Sequence, residues 1–322
     1  MSPPHLLRRR VLLASLALPA VPALQGCAAP LPAMQNPATA PAAQALLAES
    51  AAAHGLAALS GMGDLNVSYT GEWPPLIDGL QPALVDAGFR GGSEERLLLR
   101  EGVVAQAHTG PRGHKQVVRR TVPGARGDVR VWFNGEEARD DERRAAAALV
   151  ADGYALFLLG PMLLVRDRAA GRPMALELAG VERLVLDGRA HECDVLRARV
   201  APGLGFSGAE DLALFIDRGE RLMRRVRFSL NGLASTRGAV AEVDGFDHTA
   251  LYGVRWPTRF HERLLRPLPL PVHDWRLEGL DVDRGLSLAE VGGAAFAGKA
   301  VAPAAALTRR HARPADRAAA PG

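Results

Sequence analysis

Strict alternation of apolar and polar positions recurs through the central part of this chain. In "LNVSYTGEW", Leu65, Val67 and Tyr69 alternate with Asn66, Ser68 and Thr70, the period-two signature of a strand with one face buried. The same period runs through "DVRVWFNG", "VERLVLDG", "CDVLRARV", "RLMRRVRFSL" and "WPTRFHERLL". In the third of these, Leu196, Ala198 and Val200 fall on one face and Arg197 and Arg199 on the other. Asn134-Gly135 and Asp187-Gly188 are two-residue hairpin signals, and Asp217-Arg218-Gly219 separates "LALFI" from "RLMRRVRF" in the same way. Strands joined so tightly pair antiparallel. The pattern predicts a meander with one apolar face and one face studded with arginine.

Two segments follow a helical pattern instead. Ala42 to Leu59, "AAQALLAESAAAHGLAAL", predicts an N-terminal helix. "DDERRAAAALVADGYALFLLGPMLLV" begins with Asp140 or Asp141 as a helix cap and an acidic first turn, and stops at Gly160-Pro161. Its apolar run from Tyr154 to Val165 has 12 residues, short of the roughly 20 that cross a bilayer, and reads as a buried helix end or an interfacial segment. A sheet with one apolar face needs a cover, and the two helices supply it. The expected fold class is mainly β, α+β.

The ends differ from this body. Residues 1 to 26 have the parts of an export signal: a basic start ending in Arg8-Arg9-Arg10, an apolar Val11 to Leu24, and Gly26 before a cut. The 14 apolar residues are too few for a membrane span. Arg8-Arg9-Arg10-Val11-Leu12 also resembles a twin-arginine signal. Leu24-Gln25-Gly26-Cys27 resembles the lipobox of bacterial lipoproteins; that resemblance implies acylation of Cys27 and attachment to a membrane by its acyl chains, which together hold far more firmly than one chain would. Ala28 rather than Asp after the cysteine implies the outer membrane, with the body facing the periplasm. Residues 27 to 41 read as a lipidated flexible linker, 42 to 288 as one β domain, and 289 to 322 as a disordered Ala/Pro-rich tail.

Composition removes one function class. The formal charge is +4, but three of the 39 basic residues leave with the signal, so 36 remain against 35 acidic residues. The mature chain is nearly neutral, and nucleic acid is not an expected partner. With Cys27 acylated, Cys193 has no disulfide partner.

Catalytic motifs are weak. Gly203-Leu204-Gly205-Phe206-Ser207-Gly208 fits G-x-G-x-x-G, but no helix pattern opens after it and position 228 is Phe rather than an acidic residue. It reads as a loop, and Ser207 lacks the strand-to-helix elbow of a serine nucleophile. His191 and Cys193 share a strand face, and His108 and His114 flank a short loop; two positions do not complete a metal site. Glu72, Glu177, Glu242 and Glu262 sit on strands, where glutamate usually faces solvent or pairs with arginine, and Arg224, Arg225 and Arg227 read as a solvated face. "RPLPLPVHDW" turns the chain between the last two strands. No metal, cofactor or catalytic residue is assigned.

Taken together, the N-terminal helix, the strand "LNVSYTGEW", the helix Asp141 to Leu159, the hairpin "LFIDRGERLMRRVRF" with its turn Asp, and the Gly-x-x-x-Pro segment in "GVRWPTRFHERL" resemble the LolA/LolB-like superfamily of periplasmic lipoprotein carriers and lipid-binding lipoproteins. The resemblance implies a curved antiparallel sheet forming a half-open barrel, with plug helices on its concave face. It implies a non-enzymatic protein whose hydrophobic cavity binds a lipid or a lipoprotein acyl chain. Val67, Val131, Phe133, Leu184, Leu196, Leu214, Phe228 and Phe260 are the expected cavity lining. Gly153, Leu156, Phe157, Gly160 and Pro161 are the expected plug and hinge. The competing classes are a metal-dependent envelope enzyme built around His191 and a scaffold that recruits a partner through its arginine face. Replacing Cys27 by Ser is expected to move the protein from the membrane fraction to the soluble fraction; retention of the variant in membranes would refute the lipobox reading.

Overall fold

The computed structural model describes residues 38–292, together with Leu31 and Met34. The export signal, Cys27 with its lipobox, and the Ala/Pro-rich tail beyond 292 lie outside the described residues. Within them the chain begins with helices α1 (Pro41–His54) and α2 (Leu56–Gly61) and strand β1 (Asp64–Glu72), followed by two short helices, α3 (Pro75–Leu80) and α4 (Pro82–Val85). A meander follows: β2 (Gly92–Leu98), β3 (Val103–Gly110), β4 (Gly113–Val122), β5 (Ala125–Phe133) and β6 (Glu136–Glu137). Two helices, α5 (Asp141–Leu159) and α6 (Pro161–Ala169), lead to a second meander: β7 (Met174–Leu186), β8 (Arg189–Val200), β9 (Glu210–Asp217), β10 (Met223–Ser229) and β11 (Val240–Phe246). A small hairpin, β12 (Thr249–Leu251) and β13 (Val254–Trp256), precedes β14 (Arg259–Arg266) and β15 (Leu270–Val282), and α7 (Leu288–Val291) closes the described chain.

Thirteen of the described strands form a single antiparallel sheet in the order β6-β5-β4-β3-β2-β1-β15-β14-β11-β10-β9-β8-β7. The two meanders join only where β1 pairs with β15, from Leu65 opposite Val282 to Glu72 opposite Asp274. Strands β6 and β7 are consecutive in the chain yet lie at opposite edges, so the sheet is open and α5 and α6 must cross it. They cross on its apolar face, where Ala145 to Leu149 and Leu156 to Leu159 join the main core with Val67, Val131, Leu196, Leu214 and Phe260. The expected half-open sheet with plug helices is the fold observed.

Local chemistry explains the boundaries. Asp140 caps α5, its carboxylate accepting the Arg143 amide at 2.9 Å. Gly160, with φ 50°, ends α5, and Pro161 opens α6 at a bend of 108°. No single helix among the described residues is long and apolar enough to cross a membrane. The helix expected over Ala42 to Leu59 is broken at Gly55 (φ 104°), where the chain passes so close to β13 that a Cβ would lie 2.9 Å from the Val254 Cα. The imidazole of His54, at the end of α1, bridges the break: Nδ1 donates to the Arg255 carbonyl (3.1 Å) and Nε2 accepts the Met223 amide (2.9 Å). Burial depresses its pKa to about 4.

The opposite, convex face carries the arginines, but not as a solvated row. Arg225 and Arg227 on β10, Glu242 and Asp244 on β11, and Arg263 on β14 form an array across three strands, with Arg227 Nε to Glu242 at 2.8 Å and Arg263 to Asp244 at 2.8 Å. Both carboxylates are 2% exposed. Leu184, Leu186, Cys193, Val195, Ala213 and Phe215 form a second, smaller cluster on this face, and Leu31 packs against it.

One ion pair fastens the plug to both halves of the sheet. Asp152, midway along α5, receives two hydrogen bonds of 3.0 Å from Arg119 on β4, and accepts the Gly205 amide at 2.8 Å from the loop between β8 and β9. Replacing either partner leaves a buried charge without its counterion, a loss of about 3–5 kcal/mol. Asp152→Ala and Arg119→Ala are each expected to lower unfolding free energy in urea by that amount. The double variant should lose far less than the sum, and full additivity would show that the pair does not act as a unit.

Candidate functional site

The core does not fill the concave side completely. Between α3, α4 and α5 on one wall and β10, β11, β14 and β15 on the other lies a cavity of about 600 Å³, within the range of small-ligand pockets, about 300–1,000 Å³. Its apolar lining comes from Ile77, Leu84, Leu149, Phe157, Phe228 and Leu264, among others, and its rim carries the exposed Leu80 and Leu268 beside Arg237 and Arg266. The short α3 and α4 exist because Pro75 and Pro82 occupy first-turn positions, where the missing N–H costs nothing; their Ile77, Leu80, Leu84 and Val85 then turn to the cavity.

One end of the cavity is polar. Strand register puts Glu95, Gln106, His108, Glu262 and His273 on the concave face, since Val67 pairs with Glu95, Glu95 with Gln106, Ser93 with His108, and Glu262 with both Val243 and His273. Trp73, His273, Trp275 and Phe260 stack in a column with centroid spacings of 3.8, 4.6 and 4.8 Å. The Tyr154 hydroxyl and His273 Nδ1 are hydrogen-bonded at 3.2 Å. Arg90, Trp73 and Tyr154 line both the large cavity and a polar niche of about 20 Å³ beside it, which includes Thr70, Ser93 and His108.

Burial governs ionisation here. It pushes the Glu262 carboxyl up to about 7, against the pull of the Arg90 charge. It does the same to Glu95, also to about 7, opposed by the Gln106 hydrogen bond and by Arg90 and Arg96. Desolvation, reinforced by Arg90, keeps His108 and His273 well below the usual histidine value. The polar end is therefore a neutral-to-cationic patch at neutral pH and below.

The residues expected to line a cavity fall in several places. Phe228 lines it; Val67, Val131, Leu196, Leu214 and Phe260 are packed into the solid core. Phe133 lies partly buried against that core and edge-on to Phe89 at 5.0 Å. Leu184 lies on the convex face. A one-residue bulge between Leu178 and Val181, with Gly180 at φ 98°, explains it: past the bulge every side chain of β7 changes sides. Of the plug and hinge residues, Gly153 and Phe157 line the cavity, Leu156 is core, and Gly160 and Pro161 form the bend. Trp73, Ile77, Leu84 and Arg90 are absent from the expected lining; Pro75, Pro82 and the Ile77, Leu80, Leu84 spacing signal Ile77 and Leu84, whereas no local pattern marks Trp73 or Arg90. Glu262, expected with the other strand glutamates to face solvent or pair with arginine, lines the cavity instead; its flanking Phe260 and Leu264 share its face and mark it as inward.

The remaining motifs settle as structure. The 203–208 loop leads into strand β9 and docks on α5 through Gly205. His191 Nδ1 meets Asp217 at 2.7 Å, while the buried Cys193 thiol is pushed up to about 12 by desolvation. Among the described residues no group of three or more His, Cys, Asp or Glu side chains could hold a metal ion.

No protein-family model and no curated protein sequence matches this chain. Among solved structures, it is similar to a DUF1329 family protein from Desulfovibrio piger (12% identity, TM-score 0.45, covering 77% of this chain and 96% of that one). It is also similar to a LolA superfamily protein from Nitrosomonas europaea (12% identity, TM-score 0.44, with the same coverage of 77% and 96%).

The ionisation of Glu262 gives a signed pH test. Its folded pKa lies above the ordinary value, so its ionisation costs nothing below about 4.5, costs progressively more as pH rises to about 7, and stays constant above. Glu262→Gln is expected to match the parent chain near pH 4.5 and to exceed it by about 2–3 kcal/mol at pH 8, measured by urea unfolding. Equal stability of the two chains at pH 8 would refute the partly buried, desolvated carboxylate.

Proposed function

We propose that this chain is a membrane-tethered envelope protein that binds the acyl chain of a lipid or lipoprotein in the cavity between α3–α5 and β10–β15, without catalysing a reaction. In this reading Cys27 carries the anchor at the outer membrane and the body works in the periplasm. The observation that carries the binding role is the cavity of about 600 Å³ with Ile77, Leu84, Leu149, Phe157, Phe228 and Leu264 on its walls. Such walls offer hydrocarbon a dry surface and few polar groups to satisfy, so affinity comes from area removed from water. Each buried methylene contributes roughly 0.8 kcal/mol, about a fourfold gain in affinity, before the cost of ordering the chain.

Access to the cavity lies at its rim, where Leu80 and Leu268 are 55% and 63% exposed. Alpha helices α3 and α4 have six and four residues, and helices so short hold their shape through packing rather than through their own hydrogen bonds. They form the movable wall. Helix α5, clasped by Arg119, forms the fixed one.

Binding of n-alkyl alcohols is expected to tighten about three- to fourfold per added methylene from octanol upward and then to level off where the cavity is full. Leu264→Trp, which places a larger side chain in the cavity, is expected to weaken dodecanol at least about tenfold while leaving the thermal transition in place. Calorimetric titration and a thermal melt read the two quantities. An affinity independent of chain length, or unchanged in Leu264→Trp, would refute the binding role.

A further inference from the structure

Arg90 stands apart among the charged groups of this site. It is 9% exposed, and both terminal guanidinium nitrogens are buried with no hydrogen-bond partner among the described residues. The guanidinium lies over the Trp73 ring at 5.0 Å and the Tyr154 ring at 5.8 Å. Those faces attract a cation but leave its N–H groups unsatisfied. Arginine cannot shed its proton inside a protein, so the buried charge needs a counter-charge. The acidic groups that feel its field are Glu95 and Glu262, and neither makes an ion pair with it; Glu95 spends one oxygen on Gln106. The niche of about 20 Å³ beside Arg90 has room for about one water, too little for all of the free donors.

We propose that the cavity selects an amphiphile with an anionic headgroup, a carboxylate or phosphate seated on the Arg90 guanidinium at the polar end, with the hydrocarbon tail along Phe157, Phe228 and Leu264. The inference rests on the acyl-binding reading above and adds the class of headgroup. The paired terminal nitrogens match two oxygens of such a group in the fork geometry peculiar to arginine. Trp73 and Tyr154 flank the guanidinium, and its terminal nitrogens are closed to solvent, so a headgroup reaches them when the side chain swings toward the main cavity, which Arg90 also lines and which holds the tail.

The test uses the full chain carrying Cys27→Ser, freed of co-purified lipid, and calorimetric titration with three probes sharing one tail: laurate, dodecanol and dodecyltrimethylammonium. Laurate is expected to bind at least about tenfold tighter than dodecanol and the cationic probe weakest. Arg90→Gln should abolish the preference of the site for laurate over dodecanol, and Arg90→Lys, which keeps the charge but not the fork, should fall between. Acetate and inorganic phosphate are expected to give no measurable binding; either one binding as tightly as laurate would overturn the amphiphile in favour of a free anion. Equal binding of all three tailed probes would overturn the headgroup assignment alone, whereas binding of none would overturn the acyl cavity itself. Should Arg90→Gln fail to fold in a thermal melt, the ranking of the probes on the parent site decides.

Discussion

Everything in this fold depends on the pairing of β1 with β15. Each meander by itself is a row of hairpins; only this seam, eight residues of β1 hydrogen-bonded to the last long strand, makes one sheet of them. Once the chain's first and last strands are neighbours, the strands next to the mid-chain connection are forced to the two outer edges. The connection must then travel the full width of the sheet. It travels across the apolar face because that is where the sheet can bury it, and so a helix of 19 residues becomes the plug.

The plug is fastened where it crosses and does not fill the hollow. Asp152 binds it to β4 and to the β8–β9 loop, and at Gly160 the chain turns through 108° rather than continuing along the sheet. What remains uncovered, over β10, β11, β14 and β15, is walled by one side of α5 and by two short helices that open at Pro75 and Pro82. The cavity is thus a consequence of topology. Its chemistry is separate: the buried Arg90 and Glu95 and the partly buried Glu262 are costly for folding, and nothing in the packing of the core requires them. A fold selected for stability alone would have placed apolar residues there.

The half-open sheet, its hairpins and its plug were legible because each has a local signature: alternation, Asn-Gly and Asp-Gly turns, an acidic cap, a Gly-Pro stop. The border of the concave pocket was not legible in the same way. Alternation tells which residues share a face, and it told correctly for Leu196, Leu214, Phe228 and Phe260. It does not tell which of them meet solid packing and which meet a void, because that depends on where a distant helix lies. It failed for Leu184, since one extra residue near Gly180 reverses the count. It misplaced Glu262 through a statistical habit of strand glutamates, and it read as solvated an arginine face that is closed by Glu242 and Asp244 from neighbouring strands.

The amino-acid sequence alone therefore determined the alternating strands it names, their antiparallel connection and the segment that covers them, since these follow from periodicity and turn chemistry within a few residues of one another; it did not determine α3, α4 or the break at Gly55. Tertiary structure decided which side chains border the void, which charges are buried beside it and which are paired. Those properties arise between residues as far apart as Arg90 and Glu262, or Arg119 and Asp152, and a distance between strands is set by the whole sheet rather than by any stretch of it.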